Sequence, residues 1–338
     1  MASSLRALLA APSILTAQKS FANAAVGSAA WNAQGLHVWR VRRAHAMAAR
    51  RRARLAARMD AAEREAFDRD GFVVRRNALP REALDAIRRE VETRALPAWE
   101  MRQGEAVDRV SVIPSDGAMG GLWRWLGSPG MRATLGYVAG HEGHCVSMLQ
   151  TIAVDPVSGA ADPQADLHAD TFHPNAKYWL FLDDVPEDAG PFAYVPGSHR
   201  LNEARLAWEG EQARTAGQSE NGHHAGGSLR VPEALLPEFG LHAPRPLPVE
   251  AGTLVIADTY GLHRRTPSRR ATIRASVYGM QRRNPFVPWN GLDPLDAPGL
   301  RRATKRLFLA AEDLKARRGR PATWVRVDDV PMRAPQQR

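Results

Sequence analysis

Cysteine is almost absent from the sequence, because Cys145 is the only one among 338 residues. A single thiol cannot form an intramolecular disulfide, and one thiolate is too few for a cysteine-based zinc or iron–sulfur site. Any metal would therefore be held by histidine and carboxylate side chains. Long apolar runs are also absent, since the most apolar stretch near the start, 7–17, is interrupted by Pro12, Ser13 and Thr16. A membrane-spanning helix needs about 20 apolar residues, so the sequence predicts none.

Acidic residues are missing from the first 59 positions, where ten basic residues occur. The whole chain has 46 basic and 36 acidic residues, so the remainder is neutral and this N-terminal arm carries the net charge of +10. A basic helix over 35–59 bearing Val38, Trp39 and Val41 would suit an anionic membrane surface. The neutral body argues against nucleic acid as a partner. The alternative is a general preference for arginine, since only four of the basic residues are lysine.

Three segments are predicted along the chain: the basic arm 1–59, a main domain 60–325 and a C-terminal tail 326–338. No clean cleavage site follows the first 20 residues, so we expect them to be retained. Beyond residue 145, short apolar runs alternate with turn residues at spacings too close for crossover helices. This pattern predicts an antiparallel β sandwich or barrel with packing helices. The Gly/Ser-rich insertion 217–228 predicts a flexible loop.

Candidate metal ligands lie on two of the predicted strands. His168 and Asp170 are two positions apart in LHAD, so in an extended chain both side chains point to one face. His263 ends the apolar run TLVIADTYGLH and would complete a set of two histidines and one carboxylate if the strand ends meet. Such a set leaves coordination positions open and is typical of non-haem Fe(II) oxygenases. The His–X–Asp pair alone is a weak signal, because many such pairs are only hydrogen-bonded neighbours.

A cation follows on the next predicted strand. Arg274 stands in TIRASVYG, eleven positions after His263. An arginine on an otherwise apolar strand needs an anion, and the carboxylate of a 2-oxo acid fits the guanidinium fork. An internal acid such as Asp258 is the alternative partner. Gln150, on the run VSMLQTIAV, either reaches the same cosubstrate or, like Lys177, hydrogen-bonds within the sheet.

The remaining histidines and two aromatic residues receive structural interpretations. A turn at His173, next to a proline, argues against a ligand role, and His199 in PGSHR is expected to shape a turn. The insertion 217–228 contains His223 and His224, which we expect to be solvated. Trp179 and Phe181 alternate on a predicted strand and are expected in the core rather than against a ligand.

Taken together, these pieces resemble the phytanoyl-CoA dioxygenase family of Fe(II)/2-oxoglutarate-dependent oxygenases. The resemblance extends from about residue 60 to 281 and rests on FDRDGFVVRRNALPREALDAIRREV, LHADTFHP, AGPFAYVPGSHR, GLH and the spacing from His263 to Arg274. It implies a double-stranded β-helix, a cupin-like jelly roll with packing helices. It also implies Fe(II) on His168, Asp170 and His263, with 2-oxoglutarate on Arg274 and O₂ as cosubstrates. Related halogenases replace the carboxylate by a small residue, so the presence of Asp170 implies hydroxylation.

The resemblance leads us to expect a dioxygenase that hydroxylates an unactivated C–H bond of a small or lipid-linked anionic substrate. The basic arm favours a cytoplasmic enzyme on the inner face of a membrane. It also favours Kdo, the acidic sugar of the lipopolysaccharide inner core, as the substrate. An acyl or secondary-metabolite substrate is the alternative within the family, and a non-catalytic jelly-roll protein that binds a membrane surface is the alternative outside it.

Overall fold

The computed structural model of the chain describes residues 2–156, 162–289 and 297–335. Its helices are α1 (Ala2–Leu9), α2 (Ala29–Ala33), α3 (Leu36–Leu55), α4 (Ala61–Asp70), α5 (Arg81–Thr93), α6 (Gly117–Leu126), α7 (Pro129–Ala139), α8 (Glu203–Thr215), α9 (Gly222–Ala225) and α10 (Pro298–Arg317). Its strands are β1 (Phe72–Arg75), β2 (Leu96–Gln103), β3 (Ala106–Ser111), β4 (Val146–Val154), β5 (Ala176–Phe181), β6 (Phe192–Tyr194), β7 (Arg245–Leu247), β8 (Leu254–Asp258), β9 (His263–Arg265), β10 (Thr272–Gln281) and β11 (Val325–Val330). None of the described helices is long and apolar enough to cross a bilayer.

The strands form two antiparallel sheets. The large sheet has eight strands in the order β1-β8-β5-β10-β4-β3-β2-β11, and the small sheet has the order β7-β6-β9. Single bridges from His168 to His263 and to Arg230 extend the small sheet by two further chain segments. A cavity separates the two sheets, and the helices pack around them. The prediction of a jelly-roll fold with packing helices is confirmed.

Local sequence explains how the main domain begins. The side chain of Asp60 caps α4 by accepting hydrogen bonds from the amides of Ala62 and Glu63. Gly71 ends that helix in the left-handed conformation, with a φ of 90°. A Cβ at Gly71 would lie only 2.5 Å from Nδ1 of His199, so both the backbone angle and the close approach require glycine. The chain then turns directly into β1.

Alternation along β10 separates the core from the cavity. Ala275 and Val277 are buried in the main core, which fills the space between the large sheet and helices α5, α6 and α7. Arg274, Ser276 and Tyr278 lie on the opposite face of the strand and line the cavity. Because side chains alternate across a strand, one ten-residue segment contributes both to the core and to the site.

The basic arm packs on the body of the protein. Val41 and Ala44 of α3 are fully buried in a cluster with Phe172, Leu206 and Tyr260. The expectation that Val41 faces lipid headgroups is therefore wrong. Val38, also on α3, is partly buried and packs against the same cluster, whereas Trp39 is 48% exposed. An amphipathic pattern specifies an apolar partner, and here that partner is the protein itself.

The insertion 217–228 and the C-terminal segment also make specific contacts. The insertion contains the short helix α9, and the carbonyl of Ala225 accepts a hydrogen bond from the amide of Phe21 in the arm. Contrary to the expectation of a flexible loop, it is therefore tied to the arm. In the C-terminal segment, β11 pairs with β2, and Met332 is buried in the main core. Residues 336–338 of the predicted tail lie outside the described residues.

Candidate functional site

His168, Asp170 and His263 converge on one point at the inner face of the small sheet. One potential ligand atom from each residue lies within 4.8 Å of the others. The Nε2 atom of His263 lies 3.6 Å from Oδ2 of Asp170, and that of His168 lies 4.0 Å from Oδ1. The backbones of His168 and His263 exchange hydrogen bonds of 3.0 Å in both directions, and this pairing sets their side chains next to each other.

Backbone carbonyls fix the orientation of both imidazole rings. Nδ1 of His168 lies 2.7 Å from the carbonyl oxygen of Asp166, and Nδ1 of His263 lies 2.9 Å from that of Gly261. A carbonyl can only accept, so each Nδ1 carries the proton and each Nε2 presents a lone pair. Burial lowers the pKa of both histidines, which keeps the rings neutral as metal binding requires.

Two lysines hold Asp170, and neither contact was expected from the sequence. Nζ of Lys177 on β5 lies 2.6 Å from Oδ2 of Asp170. Nζ of Lys19 in the arm donates a 2.7 Å hydrogen bond to the backbone carbonyl of Asp170. Burial by itself would raise the pKa of this carboxyl, but electrostatic interactions with Lys177, and then with His263 and His168, keep it well below the usual range. The Asp170 carboxylate is thus ionised and can only accept hydrogen bonds.

Arg274 faces the cavity without a carboxylate partner among the described residues. Its guanidinium donates to the carbonyl of Ala189. Asp258, the alternative partner from the sequence, is instead paired with Arg52 at 2.9 Å. Burial, followed by the charge of Arg265, lowers the pKa of Arg274 to about 9. The remaining N–H donors of this buried guanidinium are suited to binding a carboxylate.

Gln150 lies beside Arg274 on the neighbouring strand, since it is paired in register with Ser276. Its Oε1 atom is buried and has no hydrogen-bond partner within the part of the chain that the structure describes. Buried amide groups are normally satisfied, so this atom points to a polar ligand in the cavity. Contact of Gln150 with the cosubstrate stays a prediction, and its Oε1 makes no hydrogen bond within the described part of the sheet.

The cavity between the sheets has a volume of about 460 Å³ and contains two of the three candidate ligands, His168 and His263, together with Arg274. Most of its remaining wall is apolar. Trp179 and Phe181 line this wall. They also pack in an apolar cluster with Val185 and Val255, so they occupy a core position, as expected, and border the cavity as well. The ring of Trp179 lies 4.8 Å from that of Phe192 between centroids, and Phe192 lines the cavity too.

Four other histidines that the sequence brought into question lie outside the group of potential metal ligands. His173 is fully buried and its Nδ1 atom donates to the carbonyl of Pro174. His199 packs against Phe67 with 5.0 Å between ring centroids, in agreement with a role in shaping the turn. His223 and His224 are partly buried rather than fully solvated, and burial lowers the pKa of each.

Comparison with known proteins places these features in context. Residues 67–275 match the family model described as phytanoyl-CoA dioxygenase. No curated protein matches the chain. Among solved structures, the 2-oxoglutarate-dependent epimerase SnoN from nogalamycin biosynthesis is 17% identical, with a TM-score of 0.40, over 70% of this chain and 92% of that one. HygX from Streptomyces hygroscopicus, with nickel and 2-oxoglutarate bound, is 16% identical, with a TM-score of 0.44, over 66% of this chain and 87% of that one.

Proposed function

The chain belongs to the phytanoyl-CoA dioxygenase family, and from that premise we propose that it is an Fe(II)- and 2-oxoglutarate-dependent dioxygenase that hydroxylates an anionic substrate. The observation that carries this proposal is the convergence of His168, Asp170 and His263 with ligand atoms within 4.8 Å of one another. Two neutral imidazoles and one carboxylate are the donor set of the non-haem iron oxygenases, and they leave coordination positions open for cosubstrates.

The side chains of this chain have distinct tasks in that reaction. His168 and His263 would present Nε2 to the metal and Asp170 a carboxylate oxygen, while Lys177 forms an ion pair with the same carboxylate. When bound, the iron supplies the redox chemistry by which O₂ and 2-oxoglutarate oxidise a C–H bond, with release of succinate and CO₂. Arg274 binds the distal carboxylate of 2-oxoglutarate.

The sheets and the cavity wall keep this chemistry away from bulk water. Both candidate histidine ligands are at most 4% exposed, and the aromatic residues of β5 and β6 cover one side of the cavity. Exclusion of water strengthens the electrostatic contacts of a site and protects reactive species from side reactions. The presence of Asp170 supports hydroxylation rather than halogenation, as the family resemblance implies.

The basic arm supports a more specific proposal, namely a peripheral enzyme that acts on a lipid-linked anionic substrate such as Kdo. Three leucines of α1, Leu5, Leu8 and Leu9, are 60–76% exposed, and Trp39 of α3 is 48% exposed. No acidic residue occurs in the arm, although Arg42, Arg52 and Arg58 pair with acidic residues of the body. Exposed apolar side chains beside arginines are typical of helices that lie in the headgroup region of an anionic bilayer.

The apolar cavity wall favours a second candidate, an acyl or other amphipathic substrate. Residues such as Val110, Met148, Met280 and Phe308 give this wall few hydrogen-bond partners for a sugar. An alkyl chain or an apolar ring would bury its surface there, and each buried methylene contributes about 0.8 kcal/mol. Both candidate substrates carry an anionic group, but one carries it on a lipid-linked sugar and the other on an alkyl chain or apolar ring.

The decisive experiment measures succinate formation and metal binding by the purified protein. We expect 2-oxoglutarate to be converted to succinate only with Fe(II), and we expect His168→Ala, Asp170→Ala and His263→Ala each to lose metal and turnover while the fold is retained. His242→Ala, a change at an exposed histidine, is the control. Tight metal binding without any succinate would favour the non-catalytic alternative, and full turnover by Asp170→Ala would overturn the ligand assignment.

Membrane attachment is tested separately, without removing the packed arm. The double variant Leu8→Ser, Leu9→Ser should co-sediment with phosphatidylglycerol vesicles far less than the wild type, while its rate of succinate formation is unchanged. Equal sedimentation of both proteins would exclude α1 as the membrane contact. Parallel turnover assays on Kdo-bearing lipid and on fatty acids then decide between the two substrate candidates.

A further inference from the structure

Five cations line the cavity in the described part of the chain, and three of them are already paired. Lys177 is paired with Asp170, and Arg264 is paired with Glu233 at 2.8 Å. The third, Arg265, contacts Asp108 at 3.3 Å and Asp162 at 2.7 Å. The two without a carboxylate within 4.0 Å are Arg274 and Lys305. In the proposed function, Arg274 binds the carboxylate of 2-oxoglutarate. Lys305 is therefore the one cation of the five for which no anion has been named.

Lys305 is buried although it has no anionic partner among the described residues. It is only 6% exposed, and its Nζ atom lies over two aromatic rings, 4.6 Å from the centroid of Phe308 and 5.4 Å from that of Trp324. The nearest acid that raises its pKa is Glu312, whose carboxylate is already bound by Lys315 and by the amides of Thr323 and Trp324. Burial lowers the pKa of Lys305 to about 8, which leaves it mainly protonated at neutral pH.

Lys305 and Arg274 line the cavity from different elements, helix α10 and strand β10. Helix α10 packs on β4, where Leu309 joins a cluster with Val146, Met148 and Tyr278. Tyr278 is four positions beyond Arg274 along β10, which is about 14 Å in an extended strand. In the proposed function, Arg274 and the metal ligands take up the carboxylates of 2-oxoglutarate, which leaves Lys305 without an anion. The rest of the cavity wall is mostly apolar and includes Val110, Met148 and Met280.

We propose that Lys305 binds the anionic group of the substrate, a carboxylate or a phosphate carried on an apolar body that lies along this wall. The inference rests on the proposed function, because it assumes that the reacting C–H bond faces His168 and His263. The α10 helix and Trp324 lie beyond residues 67–275, the part of the chain that matches the family. Lys305, Phe308 and Trp324 therefore lie outside the residues that the family model matches, and the function of an enzyme depends on such site residues rather than on its fold.

Cation–π contacts explain how Lys305 is held in place before the substrate arrives. Attraction to the two aromatic rings partly offsets the loss of hydration of the Lys305 ammonium group. Its N–H groups still lack a conventional hydrogen-bond acceptor. A carboxylate or phosphate would accept these hydrogen bonds and neutralise the charge. Charge-assisted hydrogen bonds of this kind are about twice as strong as neutral ones.

The test compares three probes of equal chain length: decanoate, decyl phosphate and decanol. Each is titrated into the anaerobic complex with Fe(II) and 2-oxoglutarate, and binding is followed by calorimetry. We expect the wild type to bind at least one of the two anions at least tenfold more tightly than decanol. The Lys305→Met variant should lose that preference while its affinity for decanol is unchanged, and Lys305→Arg should retain it. Arg306→Met, at the exposed neighbouring position of α10, is the matched control.

Each outcome has a defined meaning. A preference for decanoate or for decyl phosphate identifies which anion the site takes. Equal affinity for all three probes, no binding of any probe, or an anion preference that survives Lys305→Met overturns the proposal. The affinities for Fe(II) and 2-oxoglutarate are measured in the same samples. If the wild type binds neither Fe(II) nor 2-oxoglutarate, the proposed function is wrong. If it binds both and Lys305→Met has no effect on the anion preference, only the proposed role of Lys305 is wrong.

Discussion

Replacing Arg52 by methionine should destabilise the whole protein, although Arg52 belongs to the arm rather than to the domain that holds the site. Its guanidinium donates to Oδ2 of Asp258 at 2.9 Å and to the backbone carbonyl of Tyr137 at 2.9 Å. It also lies 4.8 Å above the ring of Phe67. Asp258 has no exposure to solvent, so the variant would leave a buried carboxylate without its cation.

The magnitude follows from that loss. Removing one partner of a buried ion pair costs about 3–5 kcal/mol, because the remaining charge stays buried and uncompensated. Natural domains have an unfolding free energy of about 5–15 kcal/mol, so the change would remove a large part of the stability. Burial already raises the pKa of Asp258 with Arg52 present. Without Arg52 the pKa should rise further, and the native state then binds a proton that the unfolded state releases. The deficit of the variant should therefore grow as the pH rises from 5 to 8.

Urea denaturation at several pH values measures this effect. Arg54→Met, an exposed arginine two positions along the same helix, is the control and should change the unfolding free energy by less than about 0.5 kcal/mol. Adding Asp258→Asn to Arg52→Met should recover part of the stability, since asparagine keeps an oxygen for the amides of Asn175 and Tyr260 and carries no charge. A loss no larger than that of Arg54→Met, or a double variant no more stable than the single one, would refute the reasoning.

Three further predictions concern the site and the stability of the fold. Arg274→Met should weaken 2-oxoglutarate binding at least tenfold in calorimetry, because a desolvated charge pair is lost, and leave metal affinity unchanged. Lys19→Met should weaken metal binding about tenfold in a chelator competition, because outer contacts orient a ligand such as Asp170. Burial would raise the pKa of Glu209, but the charge of Arg205 lowers it overall. The unfolded state therefore binds the proton more readily, and the unfolding free energy should fall as the pH drops below about 4.5. Thermal scans should show a smaller fall in Glu209→Gln.

The strand-borne part of the site could be predicted from the sequence, because it depends on local geometry. A period of two predicts His168 and Asp170 on one face and Arg274 opposite Ala275. In the structure the potential ligand atoms of His168 and Asp170 lie together, and Arg274 lines the cavity while Ala275 is buried in the core. The family resemblance supplied the order in which these strands meet. The roles of the three triad residues as metal ligands stay a prediction until metal binding is measured.

The contacts of the arm could not be predicted, because periodicity does not identify the partner of an apolar face. The pattern of α3 is equally suited to a lipid surface and to a protein surface, and only packing showed that Val41 meets Phe172. Lys19 reaches the carbonyl of Asp170 across 151 positions of sequence. Such a contact leaves no local signal, since any exposed lysine has the same appearance in a sequence.

The order of strands in the large sheet has a consequence for how the chain acquires its structure. In the described sheet, β1 finds its partner only in β8, and the outer edge of β2 is covered only by β11. Pairings between such distant segments form slowly, because a long loop must close before any contact compensates for its lost entropy. During synthesis or refolding, both strands therefore expose unpaired edges that neighbouring chains can bind. The yield of native enzyme should accordingly depend on protein concentration, and dilution or a chaperone that shields strand edges should raise it.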